Sequence, residues 1–231
     1  MKGESRFILD KDGFWIKDIK MEKWSDIVKK EVAKAEKEFA NHVAEIFCIG
    51  GDNPIQILEW RNKDGSGICR VRYLFDTAGQ TITISGDLGS AVVCPTWDAT
   101  LEDTVKIGIN PDYFLEKVRA SSDNYVYDFG LARKELEEHL RNAYDEMDED
   151  KKENYAYSIE EDVDYIMDFY DSNTGNFILD KCSENILEKR YDSCWTDWLY
   201  CFGRCIAPRV WSWLVGMEMA YEQLRKENVV R

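Results

Sequence analysis

Histidine, proline, basic side chains and long apolar runs are all scarce in this sequence. There are four prolines and two histidines. His42 and His139 are therefore the sole candidates for a histidine base or ligand. Lysine and arginine number 30 against 45 aspartates and glutamates, and the formal charge of −15 disfavours binding nucleic acid through clustered cations. The longest apolar stretches, such as 210–215, fall far short of the roughly 20 residues that cross a bilayer.

The opening residues and the cysteines indicate a compartment. Residues 1–7 contain no apolar core of the signal-peptide type. Seven cysteines, an odd number, favour reduced thiols when no secretion signal accompanies them. We therefore expect a cytoplasmic protein without a membrane partner.

Four of the cysteines lie close together in the sequence, at Cys182, Cys194, Cys201 and Cys205. This cluster includes no Cys-x-x-Cys pair and no nearby histidine, so burial as small apolar side chains is the simpler interpretation. We predict no metal site and no cofactor, while metal binding or pairing by these four thiols stays open.

The composition, 44% hydrophobic and 13% aromatic, is rich enough for a packed core. In the first half, apolar–polar alternation predicts a hairpin over 7–19, and three- and four-residue spacing predicts one helix over 21–47. Runs at 55–61, 68–75 and 81–86 are separated by turn-forming residues. They predict an antiparallel meander.

The second half is predicted to be mainly helical. Asn110 and Pro111 suit the start of a helix that ends near Ser121. Further predicted helices span 131–144, 159–170, 177–189 and 208–226. We expect an α+β protein with an N-terminal domain, 1–121, in which helices pack on the antiparallel sheet, and a mainly helical, acidic and aromatic-rich region, 122–231.

Acidic residues are concentrated in one segment of that second region. Residues 145–171 contain twelve acids against two lysines. Such a run most often forms a solubilising surface; the alternative is a surface that attracts a basic partner electrostatically. On the second interpretation, Glu160, Glu161, Asp162 and Asp164 steer the contact.

Aromatic side chains accompany these acids and supply candidate anchors. Tyr165 and Tyr170 are interleaved with the acids, and half of the eight tryptophans fall within 195–213. Core packing is the default for such residues, but Trp and Tyr also dominate interface energies. We predict that Tyr165, Tyr170, Trp195 and Trp198 anchor a protein partner.

Catalytic motifs of the familiar kinds do not occur in the sequence. There is no Gly-x-Ser-x-Gly elbow, no His-Glu-x-x-His pair and no phosphate-binding glycine loop. The acids from Asp145 to Asp150 also lack the spacing of a calcium loop. Asp87, beside Gly86 and Gly89, is the best single carboxylate candidate, and we predict no catalytic residue.

Two segments carry a resemblance to a known group of proteins: Ile-Thr-Ile-Ser-Gly-Asp-Leu-Gly-Ser-Ala-Val-Val at 82–93 and Ile-Asn-Pro-Asp-Tyr-Phe-Leu-Glu-Lys-Val at 109–118. The stretch 60–118, about a quarter of the chain, resembles small phage- and prophage-encoded inhibitors of bacterial defence systems, and the Gabija anti-defence family is the nearest candidate. The resemblance implies an oligomeric binder that coats a nuclease complex and blocks access to DNA. No individual functional residue transfers from it.

The sequence therefore predicts a non-enzymatic, phage-type inhibitor of the host cytoplasm, homo-oligomeric, which binds a basic surface of a defence nuclease and does not itself contact nucleic acid. Two alternatives stay open. One is a carboxylate-based or metal-dependent enzyme, and the other is a phage structural or assembly protein.

Overall fold

A computed structural model describes residues 6–9, 15–18, 24–51, 55–108, 110–147, 149, 152, 158–190, 199 and 202–229. Its contacts divide the chain into two compact units. Unit 1 comprises residues 1–120 together with 211–231, and unit 2 comprises residues 121–210. The predicted α+β class, with an N-terminal antiparallel sheet and helices, is confirmed.

The strands are β1 (Arg6–Leu9), β2 (Trp15–Asp18), β3 (His42–Ile49), β4 (Ile55–Asn62), β5 (Val71–Asp76), β6 (Thr81–Gly86), β7 (Ala91–Val93), β8 (Val118–Ser121), β9 (Tyr125–Tyr127), β10 (Tyr170–Asp171), β11 (Asn176–Phe177) and β12 (Arg204–Ile206). The helices are α1 (Trp24–Glu38), α2 (Leu101–Lys106), α3 (Pro111–Lys117), α4 (Phe129–Asp145), α5 (Ile159–Met167), α6 (Lys181–Arg190) and α7 (Pro208–Lys226). None of these described helices is long and apolar enough to cross a bilayer.

Unit 1 is built on a six-stranded sheet in the order β3-β4-β5-β6-β7-β8. The pairs from β3 to β7 are antiparallel, so the predicted meander is confirmed, as is the hairpin, which forms β1 and β2. Side chains alternate across the sheet, and Val71, Tyr73 and Phe75 of β5 are fully buried on one face. This buried face forms the core of unit 1.

The C-terminal helix belongs to this core. The Tyr73 hydroxyl donates to the Trp213 carbonyl at 2.9 Å, and Gln223 accepts a hydrogen bond from the Ala44 backbone N–H at 3.2 Å. A Cβ at Gly216 would lie 2.7 Å from the Tyr73 hydroxyl, so a glycine lets the helix approach the sheet closely. Residues 211–231 therefore group with unit 1. The predicted region 122–231 had assigned them to the second domain, whereas the first boundary falls one residue from the predicted one.

The single helix expected over 21–47 is wrong. Helix α1 ends at Glu38, and His42–Ile49 forms strand β3, which pairs along its whole length with β4. Val43 and Ile46 fit helical spacing, but the segment 42–49 is also rich in the β-branched and aromatic residues that favour a strand. Strand pairing in the tertiary structure decided between the two.

Several other predicted boundaries shift by a few residues. Helix α3 starts with Asn110 as its cap and Pro111 in its first turn, as predicted, but it ends at Lys117 because the chain then enters β8. The helix predicted over 159–170 ends at Met167, and that predicted over 177–189 begins at Lys181. The helix predicted over 208–226 has these bounds in the structure.

The core of unit 2 is formed mainly by helices. Leu136 and Leu140 of α4 pack with Ile166 of α5 and Leu187 of α6, all of them completely buried. Strands β9 and β12 pair antiparallel within this unit. The helices thereby fix the orientation of α5, which carries most of the residues predicted to bind a partner.

Candidate protein-binding surface

A capping box fixes the first turn of α5. The Ser158 hydroxyl accepts a hydrogen bond from the Glu161 N–H at 3.2 Å, and the Glu161 carboxylate accepts one from the Ser158 N–H at 2.9 Å. These bonds satisfy backbone donors that a helix start leaves without partners. Negative side chains in this turn are also favoured by the helix dipole. The residues that define the helix start therefore also concentrate negative charge there.

Four exposed carboxylates lie on one side of α5 and at its C-terminal cap: Glu160, Glu161, Asp164 and Asp168. At 3.6 residues per turn they fall within a sector of about 100°. We call these four residues the acidic face. Val163 and Ile166, on the other side of the helix, are buried in the core of unit 2. The core therefore holds the acidic face in a fixed orientation toward solvent.

Two arginines of α4 border the acidic face. An Arg133 nitrogen lies 2.5 Å from an Asp164 carboxylate oxygen, and both side chains are partly exposed. The pKa of Arg141 is raised above its ordinary value, first by its hydrogen bond to Glu137 and further by Glu160. Exposed pairs of this kind contribute little stability because water screens them.

The negative charge around the acidic face exceeds what these arginines offset. From 158 to 180 the sequence contains seven acids and no lysine or arginine. In the turn that follows α5, backbone and hydroxyl donors of Asn173 and Thr174 bind the Asp171 carboxylate and lower its pKa. The Ser183 N–H likewise lowers the pKa of Asp180. Both acids therefore stay ionised at neutral pH and add to the negative potential.

The structure separates the predicted binding residues into accessible and buried groups. Glu160, Glu161 and Asp164 are exposed. Asp162 is 1% exposed and Tyr170 is 9% exposed, so the two side chains lie in the interior of unit 2 instead of on its surface. Asp162 lies on the apolar side of α5, one helical turn before Ile166. Tyr170 lies in β10, where its ring packs against the rings of Phe129 and Phe177.

Of the three remaining predicted anchors, the structure describes Tyr165. Tyr165 is half-buried; its hydroxyl donates to the Ser183 hydroxyl at 2.7 Å, and its ring meets that of Phe169 edge-on. Tyr165 therefore links α5 to α6 and is partly exposed. Trp195 and Trp198 lie outside the described residues.

The best carboxylate candidate for catalysis, Asp87, lies exposed in the turn after β6. Its N–H donates to the Arg70 carbonyl at 3.0 Å, and Gly86 and Gly89 take positive φ values of 134° and 90°. In the described part of the chain, no group of three or more His, Cys, Asp or Glu side chains is arranged to hold a metal ion. Cys182 is an exposed free thiol and Cys205 is partly buried, while Cys194 and Cys201 lie outside the described residues.

Both histidines occupy half-buried or buried positions. His139 lies on α4, with its ring 5.8 Å from that of Phe202, and burial lowers its pKa. His42, which falls within the helix predicted over 21–47, instead begins β3 and is 5% exposed, because the helix ends before it. Its Nε2 lies 3.2 Å from the Cys69 carbonyl oxygen. Burial is the main cause that lowers its pKa.

One ion cluster could not be found from the sequence. Glu59 of β4 is 8% exposed, and its carboxylate accepts hydrogen bonds from Arg70, at 3.0 and 3.1 Å, and from Arg72. Two guanidinium groups thereby compensate a carboxylate that is largely removed from water. The alternation of Arg70 and Arg72 in the sequence indicates that they share one face of a strand. Their common partner is evident only from the strand register, which places Glu59 opposite Arg72.

Comparisons with known proteins add no relative. No protein-family model matches the sequence, and no curated protein or solved structure matches it.

Proposed function

We propose that the chain is a non-enzymatic protein that binds a basic surface of another protein through the acidic face of α5. The observation that carries this proposal is the arrangement of Glu160, Glu161, Asp164 and Asp168 in one exposed sector of a capped, core-packed helix. Because the helix is already folded, binding loses little conformational entropy.

Charge of one sign on one patch accelerates encounter with an oppositely charged partner. The expected gain in association rate is on the order of 10- to 1,000-fold, and it decreases as salt increases. Tyr165, the predicted aromatic anchor on α5, is partly exposed. Steering by the acids and contact by this ring together support a protein partner over a small substrate.

The more specific form of the proposal names the partner as a bacterial defence nuclease in the host cytoplasm. A protein that grips nucleic acid displays lysines and arginines spaced for phosphates. Carboxylates presented on a helix compete for the same cations, so the acidic face would occupy the DNA-binding surface. The expected outcome is inhibition that added DNA relieves.

Quantitative capture from a bacterial host lysate tests the proposal. The test variant is E160Q/D164N/D168N, which leaves Glu161 in the capping box. The control variant is E36Q/E38Q/E116Q, which removes the same charge from exposed positions of unit 1. We expect one basic protein, enriched with wild type and control, to be lost with the test variant and at high salt.

Two results would contradict the proposal. One is equal recovery of the partner by the test variant and the control. The other is a captured partner that carries no basic surface. For the nuclease form, a captured enzyme whose DNA cleavage is unaffected by saturating wild-type protein would contradict inhibition, although the binding proposal would stand.

A further inference from the structure

Strand β3 is at one edge of the six-stranded sheet, where it pairs with β4 alone among the described strands. The two strands pair antiparallel, so successive residues of β3 direct their N–H and C=O groups alternately toward β4 and away from it. The hydrogen bond from the Ala44 N–H to Gln223 shows that Ala44 is directed away from β4. Ile46 and Cys48 therefore also direct their backbone groups outward.

The outer edge is capped at one end and open at the other. Gln223 accepts the Ala44 N–H, but no described residue hydrogen-bonds the outward backbone groups of Ile46 or Cys48. The open half also lacks the devices that protect free edges, since 46–51 contains no charge and no proline. Phe47 is 50% exposed and Ile49 is 58% exposed.

We infer that this edge pairs with the same edge of a second copy of the chain, antiparallel about a two-fold axis at Phe47. In this register Ile46 lies opposite Cys48 of the other copy, and each pair exchanges both of its backbone hydrogen bonds. All outward groups of Ile46 and Cys48 are then satisfied by one another. Phe47 lies opposite its own symmetry mate in a non-hydrogen-bonded pair, where the side chains of an antiparallel ladder lie closest.

A row of side chains across the sheet supports this register. Pairing places Phe47 opposite Ile57, Ile57 opposite Leu74, Leu74 opposite Thr83 and Thr83 opposite Val92. These residues share the face opposite the buried core, and Phe47 ends the row at the open edge. The two-fold axis joins this row to its copy, Phe47 against Phe47, and makes one continuous sheet.

A second copy fits this edge better than an unrelated extended peptide does. The outward donors and acceptors of Ile46 and Cys48 are complementary to themselves, as an isologous interface requires. Self-pairing also covers Phe47 on both molecules at once. The interface lies entirely in unit 1, so this inference is independent of the acidic face.

Sedimentation of the full chain tests the inference, with a dimer expected at twice the 27.0 kDa mass of one chain. In I46P the proline removes only an outward N–H, so the ladder to β4 keeps its bonds. I46P should sediment as a monomer with an unchanged far-UV circular dichroism spectrum. I46V, which keeps the N–H group, serves as its control and should remain dimeric.

A charge-pair exchange tests the register itself. F47K and F47E should each be monomeric, since like charges would lie opposite each other across the axis. An equimolar mixture of the two should recover the dimer. A monomeric wild type, a dimer that persists in F47K, or a mixture that stays monomeric would each overturn the inference, and the mixture decides the question even if I46P fails to fold.

Discussion

The surroundings of His42 favour the neutral form of its side chain. Its Nε2 interacts with the Cys69 carbonyl, while Nδ1 is buried without a hydrogen-bond partner among the described residues. Protonation would place a charged N–H at this Nδ1 position, away from water. A pKa lowered chiefly by burial is the consequence.

This environment predicts a pH dependence of stability. Between the lowered folded pKa of His42 and the ordinary value of 6.5, the unfolded chain binds more protons, so the free energy of unfolding decreases as pH falls through this window. H42Q, whose amide can still donate to the Cys69 carbonyl, should lose less stability between about pH 7.5 and pH 5.5. Thermal melts of both proteins at the two pH values measure the difference, and equal losses would show that His42 is not the group responsible.

Gly86 is constrained in two ways. Its φ of 134° is in a region that other residues rarely adopt, and an added Cβ would lie 2.2 Å from the Arg70 carbonyl oxygen. Backbone geometry therefore accounts for the glycine at this position of the turn.

We expect G86A to lower the free energy of unfolding by about 2–4 kcal/mol, because backbone strain and the clash with a carbonyl add together. G51A is the matched control, since an added Cβ at Gly51 meets nothing within 4 Å. Denaturant titration measures both variants. A change of less than about 1 kcal/mol in G86A would show that the turn can rearrange without cost.

At the scale of elements, the sequence predicted those whose ends carry strong local signals. Asn110 with Pro111 defined the start of α3, the helix predicted from residue 159 begins there, and turn formers separated the strands of the meander. Strand β3 was missed because its apolar residues also fit helical spacing, and only its pairing with β4 distinguishes the two. Local patterns cannot report a partner that is distant in sequence.

The acidic face was predictable only in part for the same reason. Negative charge in 158–171 was evident from composition, but the burial of Asp162 depends on which side of α5 the core covers. Helical spacing with Ile159, Val163 and Ile166 contained that information. The contribution of Arg133 did not appear in any local pattern, since it comes from a different helix.

The capping box should matter for the stability of α5. S158A removes one of its two hydrogen bonds and should cost about 1 kcal/mol, with fraying of the first turn. S172A, an exposed serine in the turn after α5, is the control. Hydrogen exchange at the amides of 159–163 measures the effect, and unchanged exchange in S158A would mean that tertiary packing alone fixes this end of the helix.

At the scale of the whole molecule, the two units differ in how many segments of the chain they contain. Unit 2 is one continuous segment, whereas unit 1 is completed by α7 from the far end of the chain. Trp213, Met217, Ala220 and Leu224 of α7 are all buried. The change in composition near 121 predicted two consecutive domains. No local feature of the sequence indicates that the C-terminal helix packs in unit 1.

The composition of unit 1 predicts the behaviour of fragments. Residues 1–120 alone should not unfold cooperatively, because the apolar face of the sheet would be exposed to water. Residues 1–120 joined to 211–231 by a flexible linker should show a single cooperative transition. Calorimetry compares the two fragments, and a cooperative transition of the shorter fragment would show that α7 is dispensable for this core.

Association kinetics with the captured partner test most directly whether the acidic face mediates binding. For wild type and for E36Q/E38Q/E116Q, the association rate constant should decrease by about tenfold or more between low and high salt, while E160Q/D164N/D168N should associate slowly at every salt concentration. If all three proteins associate at the same rate with the same dependence on salt, the acidic face of α5 does not mediate binding.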